Sequence, residues 1–576
     1  MAWEHIMRLS RTASTTAFVA GFLLAGAPAG AEERFVTVLP GESPGTLVVT
    51  VTGNKSPSVW IDGEATPARF ESAGNGAVRA VISDLPSGSS LLGTGSGKPV
   101  AAIPLRAARP EEAPFNDRVV YHIMLGYFAN GTPANDRAGM RRWIHRRYAG
   151  GDLQGVLSKA DYLGSLGITD VWLSPVFQSE TSHGYDVQNY YRIGDSRAVP
   201  GDPDASLNLF RELARTLGDA GVGIILDLPL DYGAGTYDRR AGDPNRLKPR
   251  STKARQEAEK VWESWGTGFK YWNMRDEDTR EFLREVALHW AREEGVSGFR
   301  MDYVRGVDHA FWAEIYRELK AERPDLFVFG EAWQDAHGPG TNMGDIAKYY
   351  EPVDDIGPQF DSLIEFPMKI VMTDVFARDG DARQLERWLQ STEQAYRGHG
   401  HPIYFIDSHD MSRFSDWAVD RSDERLLAAV TFMATLRGPM ILFYGTETGL
   451  AGGKAAAGFD DSGRIPMPWD ALNEDLIQRM TAVINMKRDL PVLQRGARWP
   501  LLADANAVVM ARANDTTTAL VAVNTSTESR TVEFQSPAPG ALWAARLDGP
   551  VPVSGTDNGM LSWTLPALAT VVAVAQ

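Results

Sequence analysis

The sequence predicts an α/β fold, a (β/α)8 TIM barrel with a β-sandwich before it, an insertion after its third strand and an antiparallel β-domain behind it. Three observations predict it. In the middle of the chain, short β-branched strands alternate with longer amphipathic helices, the rhythm of a parallel sheet with helical crossovers. Eight such strands occur over about 350 residues, the number a closed barrel requires. On both sides the rhythm gives way to β-rich runs broken by Gly, Ser and Pro. The 576-residue chain has room for three or four domains at about 150 residues each.

Residues 1–31 read as a signal peptide. Arg8 and Arg11 precede an apolar run from Ala17 to Ala25, too short to span a bilayer, and Ala29-Gly30-Ala31 offers a small-x-small cleavage site. The expected mature protein is extracytoplasmic, in the periplasm or secreted, with no membrane contact after cleavage. Residues 32–112 hold Phe35–Leu39, Thr46–Val51 and Ala77–Ile82 between turn residues, a small β-sandwich. Residues 106–117 are proline-containing and charged, and read as a linker.

Residues 113–490 carry the barrel. Its candidate strands are Val119–Leu125, Thr169–Ser174, Gly223–Leu228, Gly298–Asp302, Leu326–Glu331, Gln359–Phe366, Pro402–Asp407 and Met440–Tyr444. Apolar spacing at three and four residues marks helices over Leu207–Leu217 and His309–Ala321. A doubly wound sheet is the alternative, but its usual Gly-rich phosphate loop is missing. An insertion at about 232–272, rich in Gly, Arg and Trp, separates the third strand from its helix. Its Trp262, Trp265, Tyr271 and Trp272 either wall a cleft or pin the insertion to the barrel. The β pattern returns over 491–576 as a terminal antiparallel domain.

Composition narrows the chemistry. With 74 acidic against 58 basic residues, a net charge of −16, no basic footprint exists for nucleic acid or an anionic membrane. The absence of cysteine removes disulfides, thiol catalysis and cysteine metal sites, and ten histidines form no HExxH pair.

What remains is carboxylate chemistry. Barrel active sites lie at the carboxyl ends of the strands, and Asp302, Glu331 and Asp410 stand at three such ends. Converging carboxyls are the equipment of glycosidic bond cleavage, in which one attacks the anomeric carbon and another protonates the leaving oxygen. Arg300, two residues before Asp302, faces the same side of its strand and would keep that carboxylate ionised. Trp333, after Glu331, supplies either an apolar wall to the pocket or part of the core.

These segments carry a resemblance. Asp227–Tyr232, Gly298–Asp302, Phe329–Trp333 and Phe405–Asp410 resemble, in order, the four short motifs of the α-amylase family, glycoside hydrolase family 13. Ser182–Asp186, Phe443–Glu447 and Arg464–Trp469 match further motifs, and Val307–Trp312 with the N-terminal sandwich is similar to the cyclomaltodextrinase, neopullulanase and maltogenic amylase branch. The resemblance covers about residues 118–490. It implies Asp302 as nucleophile, Glu331 as general acid/base and Asp410 as transition-state stabiliser, with His183, Tyr185, Arg300, His409 and Tyr232 at the sugar. Asp186 and Arg464 occupy positions that clamp the terminal glucose in exo-acting members, and an ordinary salt bridge is the other reading. A retaining mechanism requires two carboxyls about 5–5.5 Å apart with separated pKa values.

The departure lies in the first motif, where the family's Asn-His is Asp231-Tyr232. The family's imidazole contact to the sugar and its frequent calcium ligand are therefore in question here. A structural Ca2+ site is implied elsewhere: Asn130, Asn135, Asp136, Gly150 and Asp152 resemble the branch's calcium motif, with Thr132 in place of one acid. Their oxygen donors suit Ca2+, and a metal-free Asn/Gly-rich turn is the alternative. The expected enzyme hydrolyses α-glucosidic bonds in malto-oligosaccharides, cyclodextrins or related α-glucans without an organic cofactor, as a monomer or homodimer. A transglycosylase with the same triad is the rival. A non-catalytic carbohydrate-binding barrel is the remote one, since no catalytic carboxylate has been lost.

Overall fold

The computed structural model describes residues 34–40, 47–52, 59–61, 64–74, 77–82, 89–93, 99–104, 113–141, 144–234, 247–248, 269–333, 346–396, 401–453, 461–514, 516–538, 540–554 and 559–576. The expected signal segment lies outside them.

Eight parallel strands form the centre: β1 (Val119–Ile123), β2 (Asp170–Leu173), β3 (Gly223–Leu228), β4 (Val296–Met301), β5 (Phe327–Gly330), β6 (Ser362–Leu363), β7 (Tyr404–Phe405) and β8 (Met440–Phe443). Their order is β6-β5-β4-β3-β2-β1-β8-β7, and a parallel bridge between Ile364 and Ile403 closes the ring. Alternate strand residues take opposite roles, as a period of two dictates. Val120, Trp172, Ile225, Phe327, Phe329, Phe405 and Ile441 fill one buried cluster inside the barrel. Val119, Val171, Ile224, Phe299 and Leu442 point outward into the layer shared with the helices. Gly298 allows β4 to approach β5: a Cβ there would stand 2.1 Å from the Phe327 carbonyl oxygen.

Two strands are much shorter than the sequence implies. β6 ends because Pro367 starts the helix Phe366–Met372, in which its missing N–H costs nothing. β7 contracts because the chain turns at Asp407, whose carboxylate is taken by the Phe414 amide at 2.5 Å and the Thr446 hydroxyl at 2.8 Å. The predicted helices are present as Pro203–Asp219, capped by Asp202, and His309–Glu322, capped by Asp308.

After β3 the chain forms a short antiparallel ribbon. Tyr232–Ala234 pairs with Phe269–Trp272, which also pairs with Leu247–Lys248. Tyr271 and Trp272 are buried, and Trp272 packs on Tyr190 and Phe282, so these two pin the insertion to the barrel. Trp262 and Trp265 lie outside the described residues.

Upstream stand two four-stranded antiparallel sheets; downstream, a five-stranded and a three-stranded antiparallel sheet. Val59, Ile61, Ala80 and Ile82 share one buried cluster with Trp499, Val509 and Trp563, so both flanking parts contribute to a common core. Arg498 joins the last part to the barrel by ion pairs of 2.6 Å to Glu386 and 2.7 Å to Glu393 on the helix Arg383–Ala395. Among the described residues, no helix is long and apolar enough to cross a membrane.

Candidate active site

The strand register brings the acidic residues together. Asp227 pairs with Arg300 across β3 and β4, and Met301 pairs with Gly330 across β4 and β5, which sets Asp302 and Glu331 side by side just beyond the strand ends. The Glu331 amide donates to the Met301 carbonyl at 3.0 Å, continuing that register by one residue.

Arg300, fully buried, is the hub. Its Nη1 lies 2.8 Å from Asp227 Oδ1 and also contacts Asp302 Oδ1, while Nη2 is 2.8 Å from Glu331 Oε2. Three carboxyls around one guanidinium cannot all be charged without strong mutual repulsion. Burial, reinforced by the Asp302 charge, pushes Glu331 up to about 8 even though Arg300 opposes the shift. Burial and Asp302 likewise raise Asp227 to about 7 against Arg300. Tyr303, directly after Asp302, has φ +39, a left-handed conformation costing a bulky residue about 1–3 kcal/mol. Its amide donates to Glu331 Oε2 at 3.2 Å.

Asp410 shows the opposite behaviour. Burial disfavours its charge, but His409 Nε2 at 3.0 Å and Arg464 Nη2 at 2.6 Å hold it well below the usual carboxylate range. Arg464 also donates to the His409 carbonyl at 2.7 Å. The Tyr185 hydroxyl donates to Asp227 Oδ2 at 2.9 Å and hydrogen-bonds His409 Nε2 at 2.8 Å, its ring parallel to the imidazole. His183 accepts the Tyr185 amide at 3.1 Å; burial and Arg464 lower it to about 3, so it is neutral. Asp186 accepts from Ser179 at 2.5 Å and from Thr181. Trp333 is half-buried and stacked on Phe366 at 5.3 Å.

The altered first motif has its own geometry. The Tyr232 hydroxyl donates to Asp302 Oδ2 at 2.5 Å. Among the described residues Asp231, 1% exposed, has no hydrogen-bond partner on either carboxyl oxygen, and burial, then the Asp302 charge, pushes its pKa well up. Gly306 makes room for it, since a Cβ there would stand 2.5 Å from Asp231 Oδ2.

Three contributors escape the sequence reading of the site. Asp227 binds Arg300, Tyr185 and, at 2.9 Å, Trp172 Nε1; its signal was its place at the head of the first motif. Trp172 carries the Arg300 guanidinium 5.1 Å over its ring, and nothing but an aromatic residue in a buried strand marks it. Tyr303 acts through its backbone, which leaves no sequence signal.

The calcium candidates also gather. Asp152 accepts from the Gly131, Thr132 and Gly155 amides and from Asn135 Nδ2, at 2.6 to 3.1 Å, which occupies the four acceptor positions of a carboxylate. Asp136 accepts from Asn130 at 2.9 Å, and both lie against Gly150. Among the described residues Asn135 Oδ1 is buried without a partner, the kind of oxygen a hard cation would satisfy. Asp152, whose lone pairs are already used, is the poorest of these residues for an oxygen-ligated cation; Asn135, Asp136, Asn130 and the Gly150 backbone are the ones that could hold it.

A family model for the alpha amylase catalytic domain matches residues 122–231 and 269–478. Neopullulanase 2 of Thermoactinomyces vulgaris is 29% identical over 464 residues, which cover 75% of this chain and 74% of that protein. A cyclomaltodextrinase of Geobacillus thermopakistaniensis is 28% identical over 458 residues, covering 75% and 72%. Among solved structures, an Anoxybacillus α-amylase superimposes with a TM-score of 0.69 at 24% identity, over 80% of this chain and 98% of that one. A cyclomaltodextrinase superimposes with a TM-score of 0.68 at 21% identity, over 93% and 98%. These superpositions establish a shared fold.

Proposed function

Because the chain belongs to the α-amylase family of glycoside hydrolases, we propose that it is an α-glucan hydrolase of the neopullulanase and cyclomaltodextrinase type working with retention of configuration. The observation that carries this reading is the split between two neighbouring carboxyls, Glu331 buried and Asp410 half-buried. Glu331 is pushed up to about 8 and Asp410 is held well below the usual range. Such a split assigns the acid and the permanent anion.

In the proposed reaction Glu331, protonated at neutral pH, gives its proton to the glycosidic oxygen as Asp302 attacks the anomeric carbon. The bond to the leaving sugar breaks and a glycosyl-enzyme ester forms. Glu331, now ionised, takes a proton from water, which attacks the same carbon and returns Asp302 to its free form. Asp410 remains an anion through both steps and favours the positive charge that develops on the sugar ring. Tyr185 and His409, held parallel and tied to Asp227, offer an aromatic and a hydrogen-bonding face to that sugar. We further propose that Asp186 and Arg464 favour short chains or chain ends, that Ca2+ at Asn130, Asn135, Asp136 and Gly150 plays a structural part, and that residues 1–31 direct export.

The test is a timed product profile on maltohexaose, cyclodextrin, pullulan and amylose, with Asp302→Asn alongside. Short products from the oligosaccharide or ring, absent from the variant, are expected. Random mid-chain cuts in amylose from the first minutes would remove the chain-end preference. Products longer than the starting sugar would move the assignment to a transglycosylase. No turnover of any of the four would contradict the proposed substrate class.

A further inference from the structure

The two residues that depart from the family pattern place a new donor on the nucleophile. We propose that Tyr232 is a positioning residue for the second half of the reaction, its hydroxyl receiving the charge that returns to Asp302 when the glycosyl-enzyme breaks down. This rests on the double-displacement reading above and goes beyond the role of sugar contact expected of this position.

Both oxygens of Asp302 have donors. Oδ1 contacts the Arg300 guanidinium, and Oδ2 accepts the Tyr232 hydroxyl at 2.5 Å. The phenol is 1% exposed, and burial together with the Asp302 charge pushes its pKa well up, so it keeps its proton and donates throughout the working range. Its place is fixed by the ribbon after β3. Tyr232 pairs with Tyr271, the Trp272 amide donates to the Asp231 carbonyl at 3.1 Å, and the Tyr190 hydroxyl reaches the Tyr232 carbonyl at 3.2 Å. A donor held this way needs no reorganisation when charge arrives.

The consequence differs for the two steps. A hydrogen bond to a free carboxylate stabilises it relative to the ester, in which that charge has gone. It therefore slows formation of the ester and speeds its breakdown. In breakdown, water attacks the anomeric carbon, one water proton passes to Glu331, and the carbon–oxygen bond to Asp302 breaks with its electron pair returning to the carboxylate. Arg300 and Tyr232 meet that pair.

The experiment uses α-maltosyl fluoride, whose leaving group needs no proton and makes the first step fast. In Tyr232→Phe, kcat should fall about 10- to 100-fold, the range of one hydrogen bond to a charged group. KM should fall in parallel, leaving kcat/KM within a few-fold, and a burst of one fluoride per enzyme should precede steady turnover. Added azide should then raise the steady rate of the variant and yield maltosyl azide. Tyr232→Leu, which removes the same donor with a different shape, should give the same burst. A folded variant whose kcat and kcat/KM fall equally without a burst, or whose kcat is unchanged, overturns the proposal. If the unmutated enzyme releases maltose in the β configuration, the double-displacement reading fails, whatever the variants do.

Discussion

One buried guanidinium, Arg300, faces Asp227, Asp302 and Glu331, and it opposes the burial that raises Asp227 and Glu331. Glu331 must carry a proton to act as the acid, and burial raises it to about 8. Activity that depends on this proton is full below that value and lost as pH rises through it. A pH–rate study should therefore place the alkaline limb of kcat/KM near 8, and a limb near 5 would contradict the assignment. Asp231 makes a separate prediction. Its pKa in the folded state lies above the unfolded value of about 4, so the folded chain holds a proton that the unfolded chain releases above pH 4. Stability falls as pH rises, by up to about 1.4 kcal/mol per unit. Asp231→Asn should melt above the parent at pH 7 and match it near pH 4, and equal melting at both would refute the unpaired carboxyl. At this scale the sequence placed the three carboxyls near strand ends, since Asp302 and Glu331 follow apolar runs and Asp410 stands three residues after Asp407. It did not reveal that Asp227 pairs with Arg300, because the pairing depends on register between residues 73 apart in the chain, and the amide of Tyr303 contributes without its side chain.

The barrel strands act as rulers for the site. β4 and β5 hold Asp302 and Glu331 adjacent only because Gly298 lets the two strands approach. Gly298→Ala would force a Cβ to 2.1 Å from the Phe327 carbonyl oxygen, so one strand must shift. The expected result is a loss of about 1–3 kcal/mol in denaturant unfolding, the range of an overpacked core, with a larger loss of kcat than of binding. Unchanged stability would mean that the strands are not in this contact. Most strand positions were legible, because buried parallel strands are continuous apolar runs. β6 and β7 were drawn too long because helix starting at Pro367 and side-chain capping at Asp407 end them, which an apolar pattern does not mark. The ribbon after β3 was legible as an insertion, but that it delivers Tyr232 to the nucleophile follows from pairing alone.

The C-terminal β-domain is fastened to the barrel by buried charge as well as apolar contact. Arg498, 2% exposed, pairs with Glu386 and Glu393 across the junction, and the two carboxylates overcome the opposing effect of burial and leave it strongly cationic. Removing one member of such a set leaves the others unpaired at a cost of about 3–5 kcal/mol. Arg498→Ala should lower the melting temperature of barrel and C-terminal part together in one calorimetric transition, and two separated transitions would show that they unfold independently. The antiparallel sheets before and after the barrel strands were legible from the change of rhythm along the chain. The common core of the two flanking parts was not, because Val59 and Trp499 are hundreds of residues apart and each reads as an ordinary strand residue. For the whole molecule, the central claim is that Asp302 and Glu331 cleave α-glucosidic bonds by double displacement. The direct measurement is the anomeric configuration of the first product from maltohexaose, followed by proton NMR before mutarotation. The account predicts an α product that Asp302→Asn does not form. A β product would mean that water attacks the substrate itself, and Asp302 would not be the nucleophile.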